Sequence, residues 1–125
     1  MSELIRTICA ETRRCGGTTA DLHSLVVPTD QWYFPRFPEH TQIVSLADLP
    51  SSLERFVGIH RAVLAGGLLL GTWINPDNRM CYLDLITRVA AEHRALELAR
   101  HYSRLGGRDI VAICNPVRGI TRRVH

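Results

Sequence analysis

His93, Glu97 and His101 follow one another at intervals of four. On a helix that spacing puts the side chains on adjacent turns, where His–Glu pairs can meet and hold a metal ion or move a proton. An H-E-x-x-H zinc helix sets its two histidines four apart, whereas these stand eight apart, about 12 Å along the axis. One ion does not easily take both, so the pattern fits a solvated face, with Glu97 pairing to Arg100 or His101, better than a ligand set. His60 is the more unusual histidine, because it interrupts an apolar stripe of Leu53, Phe56, Val57 and Leu64. A ring nitrogen there needs a partner, and Asp84 or Tyr82 has the chemistry for it. Asp84 stands in an otherwise apolar stretch, so it must face solvent or find a buried partner. His60 and Asp84 are thus the weak catalytic candidates, and a hydrogen-bonded core histidine is the reading the pattern favours.

Other chemistries are excluded more firmly. All fifteen basic residues are arginine and none is lysine, which removes Schiff-base and P-loop chemistry. The paired glycines at 16–17, 66–67 and 106–107 lack the G-x-x-x-x-G-K pattern, and there is no G-x-S-x-G nucleophile elbow. The four cysteines, Cys9, Cys15, Cys81 and Cys114, include no C-x-x-C pair and read as buried free thiols. A non-enzymatic protein without metal or cofactor is expected. A small metal-dependent hydrolase using His60, Asp84, His93 and Glu97 ranks third, behind two binding readings.

Those readings start from Trp32-Tyr33-Phe34-Pro35-Arg36-Phe37. Four of the aromatic residues of the chain, which has 2 Trp, 3 Tyr and 3 Phe, fall within this stretch. Alternate side chains of an extended segment point to opposite faces, so they cannot all enter one core, and some aromatic surface is expected at an edge. Pro35 lacks the N–H that a ladder needs, which also puts the segment at a sheet edge or in a loop. Farther on, Ala91, Ala95, Leu98, Ala99, Tyr102 and Leu105 form a helical apolar stripe, with His93, Glu97, Arg100 and Arg104 on the opposite face. Exposed aromatics beside arginine are typical of protein interfaces. The leading expectation is a protein partner held by Trp32, Tyr33, Phe34, Arg36 and Phe37, with His93, Glu97, Arg100 and Arg104 as a second contact face. Nucleic acid bound by Arg36, Arg100, Arg104 and the C-terminal arginines, with aromatic stacking on bases, is the alternative. An exposed edge strand also makes a homodimer a natural outcome.

Such residues need a frame. At 125 residues, 46% apolar and 22% charged, the chain has the size and composition of one soluble domain. Its longest apolar run, at 62–71, is half the roughly 20 residues that a membrane-spanning helix requires. The first residues lack the layout of a secretory signal. A cytoplasmic protein with no membrane partner is expected. Residues 3–15 carry Leu4, Ile8, Thr12 and Cys15 at helical spacing, stopped by Gly16-Gly17. Short β-prone pieces follow between 18 and 46. A second helix is predicted up to Gly66-Gly67, with Ser51 and Glu54 as a capping box. A hairpin over about 68–86 turns at Asn75-Pro76-Asp77-Asn78, where Pro76 suits the second position of a type I turn. A third helix over 91–105 and a final strand over 109–114 complete an α+β domain at 1–115. It is expected to be a small, mostly antiparallel sheet with about three helices packed on it. Arg118, Arg122 and Arg123 have no acid beside them, so 116–125 reads as a basic tail, and the net charge of +3 resides there.

The hairpin also carries a resemblance. Gly71, Trp73, Asn75 and Pro76, then Tyr82, Leu83 and Asp84, match a G-x-W-hydrophobic-[DN]-P turn leading into Y-L-D. In this order, with a helix and a last strand to follow, they resemble a small domain that recurs in proteins of actinobacteria and of phages and other mobile elements. The match covers about 68–115. The chain differs from the group at Cys114-Asn115, where the group tends to an Asp, and at Gly106-Gly107-Arg108-Asp109, where it tends to a Gln. The resemblance implies an accessory protein of a bacterial chromosome or an integrated element and names no reaction.

Overall fold

The computed structural model describes residues 2–125. Among them, four α-helices and seven antiparallel strands make an α+β fold. The described residues gather into two compact units, one of residues 2–26 together with Gln42–Asp84, the other Val27–Thr41 together with Leu85–His125.

The first unit opens with helix α1, Glu3–Cys15, capped by the Ser2 hydroxyl, which accepts from the Ile5 N–H at 3.2 Å. The helix stops where Gly16 turns left-handed (φ 86°) and returns its N–H to the Thr12 carbonyl, as the paired glycines predict. Strand β1, Gly17–Ala20, then pairs with β4, Leu69–Ile74. A side chain at Gly17 would sit 2.6 Å from the Thr72 carbonyl oxygen, so this close strand approach needs glycine. Strand β3, Gln42–Val44, pairs with the first half of β5, Cys81–Val89. Helix α1 packs on β1 and on α2, Leu49–Ile59. Ile5, Ile8, Leu49, Leu53, Phe56, Leu70 and Leu83 are buried in this unit.

Two local expectations change here. The second helix begins after Asp48 rather than in a Ser51–Glu54 capping box, and the Ser51 hydroxyl donates to the Asp48 carbonyl. That helix is also two helices. It breaks at His60 (φ −104°, ψ 16°), beyond which α3 runs over Arg61–Ala65.

The second unit is a four-strand ladder with one helix on it. Strand β2, Trp32–Pro35, pairs on one side with the second half of β5, from Trp32↔Val89 to Pro35↔Ile86, and on the other with β6, Ala112–Asn115. The aromatic segment is therefore an interior strand, not an edge. Pro35 is tolerated because it is the last strand residue, and the ladder resumes with the Arg36 N–H on the Leu85 carbonyl at 2.8 Å. Helix α4, Glu92–Gly106, lies against β2 and β6, and buries Ala95 and Ala99 with Trp32, Phe34, Ile110, Ile113 and Val124. Leu105, expected within its apolar stripe, is instead 69% exposed.

Residues 116–125 are not a free tail. They turn back as β7, Ile120–Arg123, antiparallel to β6, and drive Val124 into the core. The acids that the local sequence lacks are supplied by the fold. Arg118 pairs with Asp30 and Arg122 with Glu92, each at 2.9 Å.

Candidate functional site

The exposed face of α4 carries two of the arginines that were candidates for binding, Arg100 and Arg104. Arg94, Glu97, Leu98, Arg100, His101, Tyr102 and Arg104 line a shallow groove of about 520 Å³. Helical spacing explains the row, since positions three, four and seven apart share a face while Ala95, Ala99 and Ser103 turn inward. Glu97 is the acid in this groove. It pairs with Arg94 at 3.8 Å, not with Arg100 or His101 as its spacing had suggested, and both side chains are well exposed. Arg100 is steadied by its Nε, which donates to the Val124 carbonyl at 3.2 Å.

Arg36 joins this surface from the end of β2. Its guanidinium carbon lies 4.1 Å from the Tyr102 ring centre and 4.4 Å from that of Phe37, so the cation rests against two aromatic rings. Tyr102 is itself held, since its ring stacks on Phe34 with centroids 6.2 Å apart. The aromatic candidates therefore divide. Trp32, Tyr33 and Phe34 are 3%, 4% and 1% exposed: Trp32 and Phe34 pack under α4, and Tyr33, on the other face of the strand, meets Thr29 through its hydroxyl and Arg88 through its ring. Arg36 and Phe37 remain half-buried at the surface. Sequence reasoning placed Tyr102 in an apolar stripe and did not join it to Arg36. That contact links positions far apart in the chain, and local spacing carries no sign of it.

Charge divides along the same lines. The second unit holds nine arginines against five acidic side chains, and the first holds six against seven. Some of the excess is neutralised locally. Asp30 accepts from Arg118 and from the amide of the buried Asn115, and these bonds hold its carboxyl below the usual range. Arg104, on the groove, has no ion pair among the described residues.

The catalytic candidates lie in different units. His60 and Asp84 belong to the first, His93 and Glu97 to the second. His60 sits at the junction of α2 and α3, its ring 4.5 Å from that of Phe56. Asp84 is 8% exposed on β5. Burial pushes the Cys81 thiol up to about 11, and the nearby Asp84 carboxylate adds to the rise. Such a thiol is a poor nucleophile at neutral pH. His93 and His101 are exposed on α4. Among the described residues no group of three or more His, Cys, Asp or Glu side chains is placed to hold a metal ion.

The hairpin turn is built from its own side chains. The Asn75 carboxamide oxygen accepts from the Asp77 N–H, that of Asn78 from the Met80 N–H, and both amide groups donate to the Tyr82 hydroxyl. The turn is one residue longer than the expected type I turn. The Arg79 N–H closes on the Asn75 carbonyl at 2.7 Å, and Arg79 takes a left-handed conformation (φ 59°). These residues are occupied in shaping the turn.

No helix among the described residues is long and apolar enough to cross a membrane. Comparison with protein-family models, curated proteins and solved structures found no match to this chain.

Proposed function

We propose that this chain is a non-enzymatic accessory protein that engages a protein partner through the exposed face of α4 together with Arg36 and Phe37. One observation carries the reading: α4 presents three groove arginines and the exposed Leu105, and its Tyr102 holds the cation of Arg36, which reaches it from the end of β2 and also rests on Phe37. Arginine and tyrosine are among the side chains enriched in protein-binding hot spots. On the resemblance of its hairpin, the setting is the cytoplasm of a bacterium carrying a phage or other mobile element. A homodimer, formed by pairing of an exposed edge strand rather than through the α4 face, is a separate part of the proposal.

The arginine excess of the second unit supports a second reading, nucleic-acid binding. Against it, base stacking needs a free ring face, and Arg36 already lies on Tyr102 and Phe37. Titration with duplex DNA and single-stranded RNA at two salt concentrations separates the two readings. Phosphate contacts make affinity fall steeply with salt. No binding at about 50 mM salt is expected. Tight, steeply salt-dependent binding that Arg100→Glu abolishes would replace the protein-partner reading with the nucleic-acid one.

A further inference from the structure

We infer that Arg36 is the anchor of this surface and that it receives a carboxylate from an acidic segment of the partner. This inference rests on the protein-partner reading above and adds the chemistry of what is recognised.

Arg36 is held as a receptor is held. Its guanidinium carbon lies over two rings, 4.1 Å from the centre of Tyr102 and 4.4 Å from that of Phe37. Its edge carries five N–H donors in a fork that matches a carboxylate bidentately. Among the described residues no carboxylate or carbonyl accepts from that fork. Nor is any side-chain nitrogen both buried and unsatisfied, so these donors open to solvent. An arginine ordered in advance loses less freedom when it binds, and a charge-assisted bidentate pair is among the strongest hydrogen-bonded contacts.

The surroundings select for acid. Arg94, Arg100, Arg104 and His101 line the groove on α4 whose Tyr102 carries Arg36, and Glu97 is set against Arg94. Leu105, one turn beyond His101 and 69% exposed, calls for an apolar side chain beside the acidic ones. The partner segment is therefore mixed, with carboxylates for the arginines and an aliphatic or aromatic residue for Leu105. A second copy docking with this same face would set arginine against arginine. A polyphosphate backbone would leave Leu105 uncovered.

The probe is a fluorescent peptide of about twelve residues built from Glu, Asp and Leu, measured by anisotropy beside an isostere in which Gln and Asn replace the acids. Wild-type protein is expected to bind the acidic peptide at least about tenfold more tightly than the isostere, the equivalent of one charge-assisted contact. Arg36→Met is expected to erase that preference. Arg36→Lys is expected to lose most of it, because an ammonium cannot reproduce the fork. Circular dichroism of each variant confirms that it is folded. Equal binding of the two peptides, or an unchanged preference in folded Arg36→Lys, overturns the inference. A single-stranded RNA that binds through Arg36 while the acidic peptide does not bind also overturns it. Loss of partner capture in Arg100→Glu with full capture in Arg36→Met would keep the α4 surface and reject Arg36 as its anchor.

Discussion

The Arg36 guanidinium rests 4.1 Å from the centre of the Tyr102 ring, and Tyr102 stacks on the buried Phe34. A surface cation is thereby tied through one ring to the core of its unit. Tyr102→Ala removes both contacts and is expected to cost about 2–3 kcal/mol, less than a fully buried ring because Tyr102 is half-buried. Tyr102→Phe keeps the ring and is expected to stay within about 0.5 kcal/mol of wild type. Urea denaturation compares them, and equal losses in the two variants would mean that the ring faces do not carry the effect.

Thr12 and Thr72 form a hydroxyl pair 2.6 Å apart in the first unit, where Thr12 also donates to the Ile8 carbonyl and Thr72 accepts from the Thr18 N–H. Thr72→Val strands the Thr18 N–H and the Thr12 partner, and is expected to cost about 1–3 kcal/mol. The double variant Thr12→Val/Thr72→Val is expected to cost less than the sum of the singles, since the two hydroxyls satisfy each other. Strict additivity in the double-mutant cycle would contradict the pair.

Asp30 has its carboxyl lowered first by the hydrogen bond from Arg118 and then by that from Asn115. A lowered folded value means that the contribution of Asp30 is present above its unfolded value, roughly 3.9, and is lost as pH falls through the folded one. The stability gap between wild type and Asp30→Ala is therefore expected to be flat at neutral pH and to close under acid. A gap that widens as pH falls would contradict the sign.

Cys15 is exposed on α1, contrary to the expectation of four buried thiols, while Cys9 and Cys81 are buried. At pH 8 a thiol raised to about 11 is about one part in a thousand thiolate, and burial further blocks reagent. Maleimide labelling of the native protein, followed by mass spectrometry, is expected to mark Cys15 first and Cys81 only through unfolding. Prompt labelling of Cys81 would show that β5 opens locally.

Much of the fold was legible in the residues. Helix α1, the hairpin and α4 all lie where periodicity and paired glycines put them, because each is written in a local pattern that its own burial obeys. Pro35 misled because a proline says only where one N–H is missing, and at the end of β2 none is needed. Residues 116–125 misled because Arg118 and Arg122 find their acids on Asp30 and Glu92, distant in sequence. The candidate surface was half legible: α4 displayed Arg100 and Arg104 by spacing alone, but which aromatics stay outside depended on the number of neighbours of β2, which no local pattern records.

The proposed function depends on partner binding by the α4 face. Quantitative affinity capture from nuclease-treated host lysate, comparing wild type with the folded double charge reversal Arg100→Glu/Arg104→Glu, addresses it most directly. A protein retained by wild type and lost in the double variant is the result expected. Capture that survives the charge reversal, or that disappears with nuclease treatment alone, would contradict it.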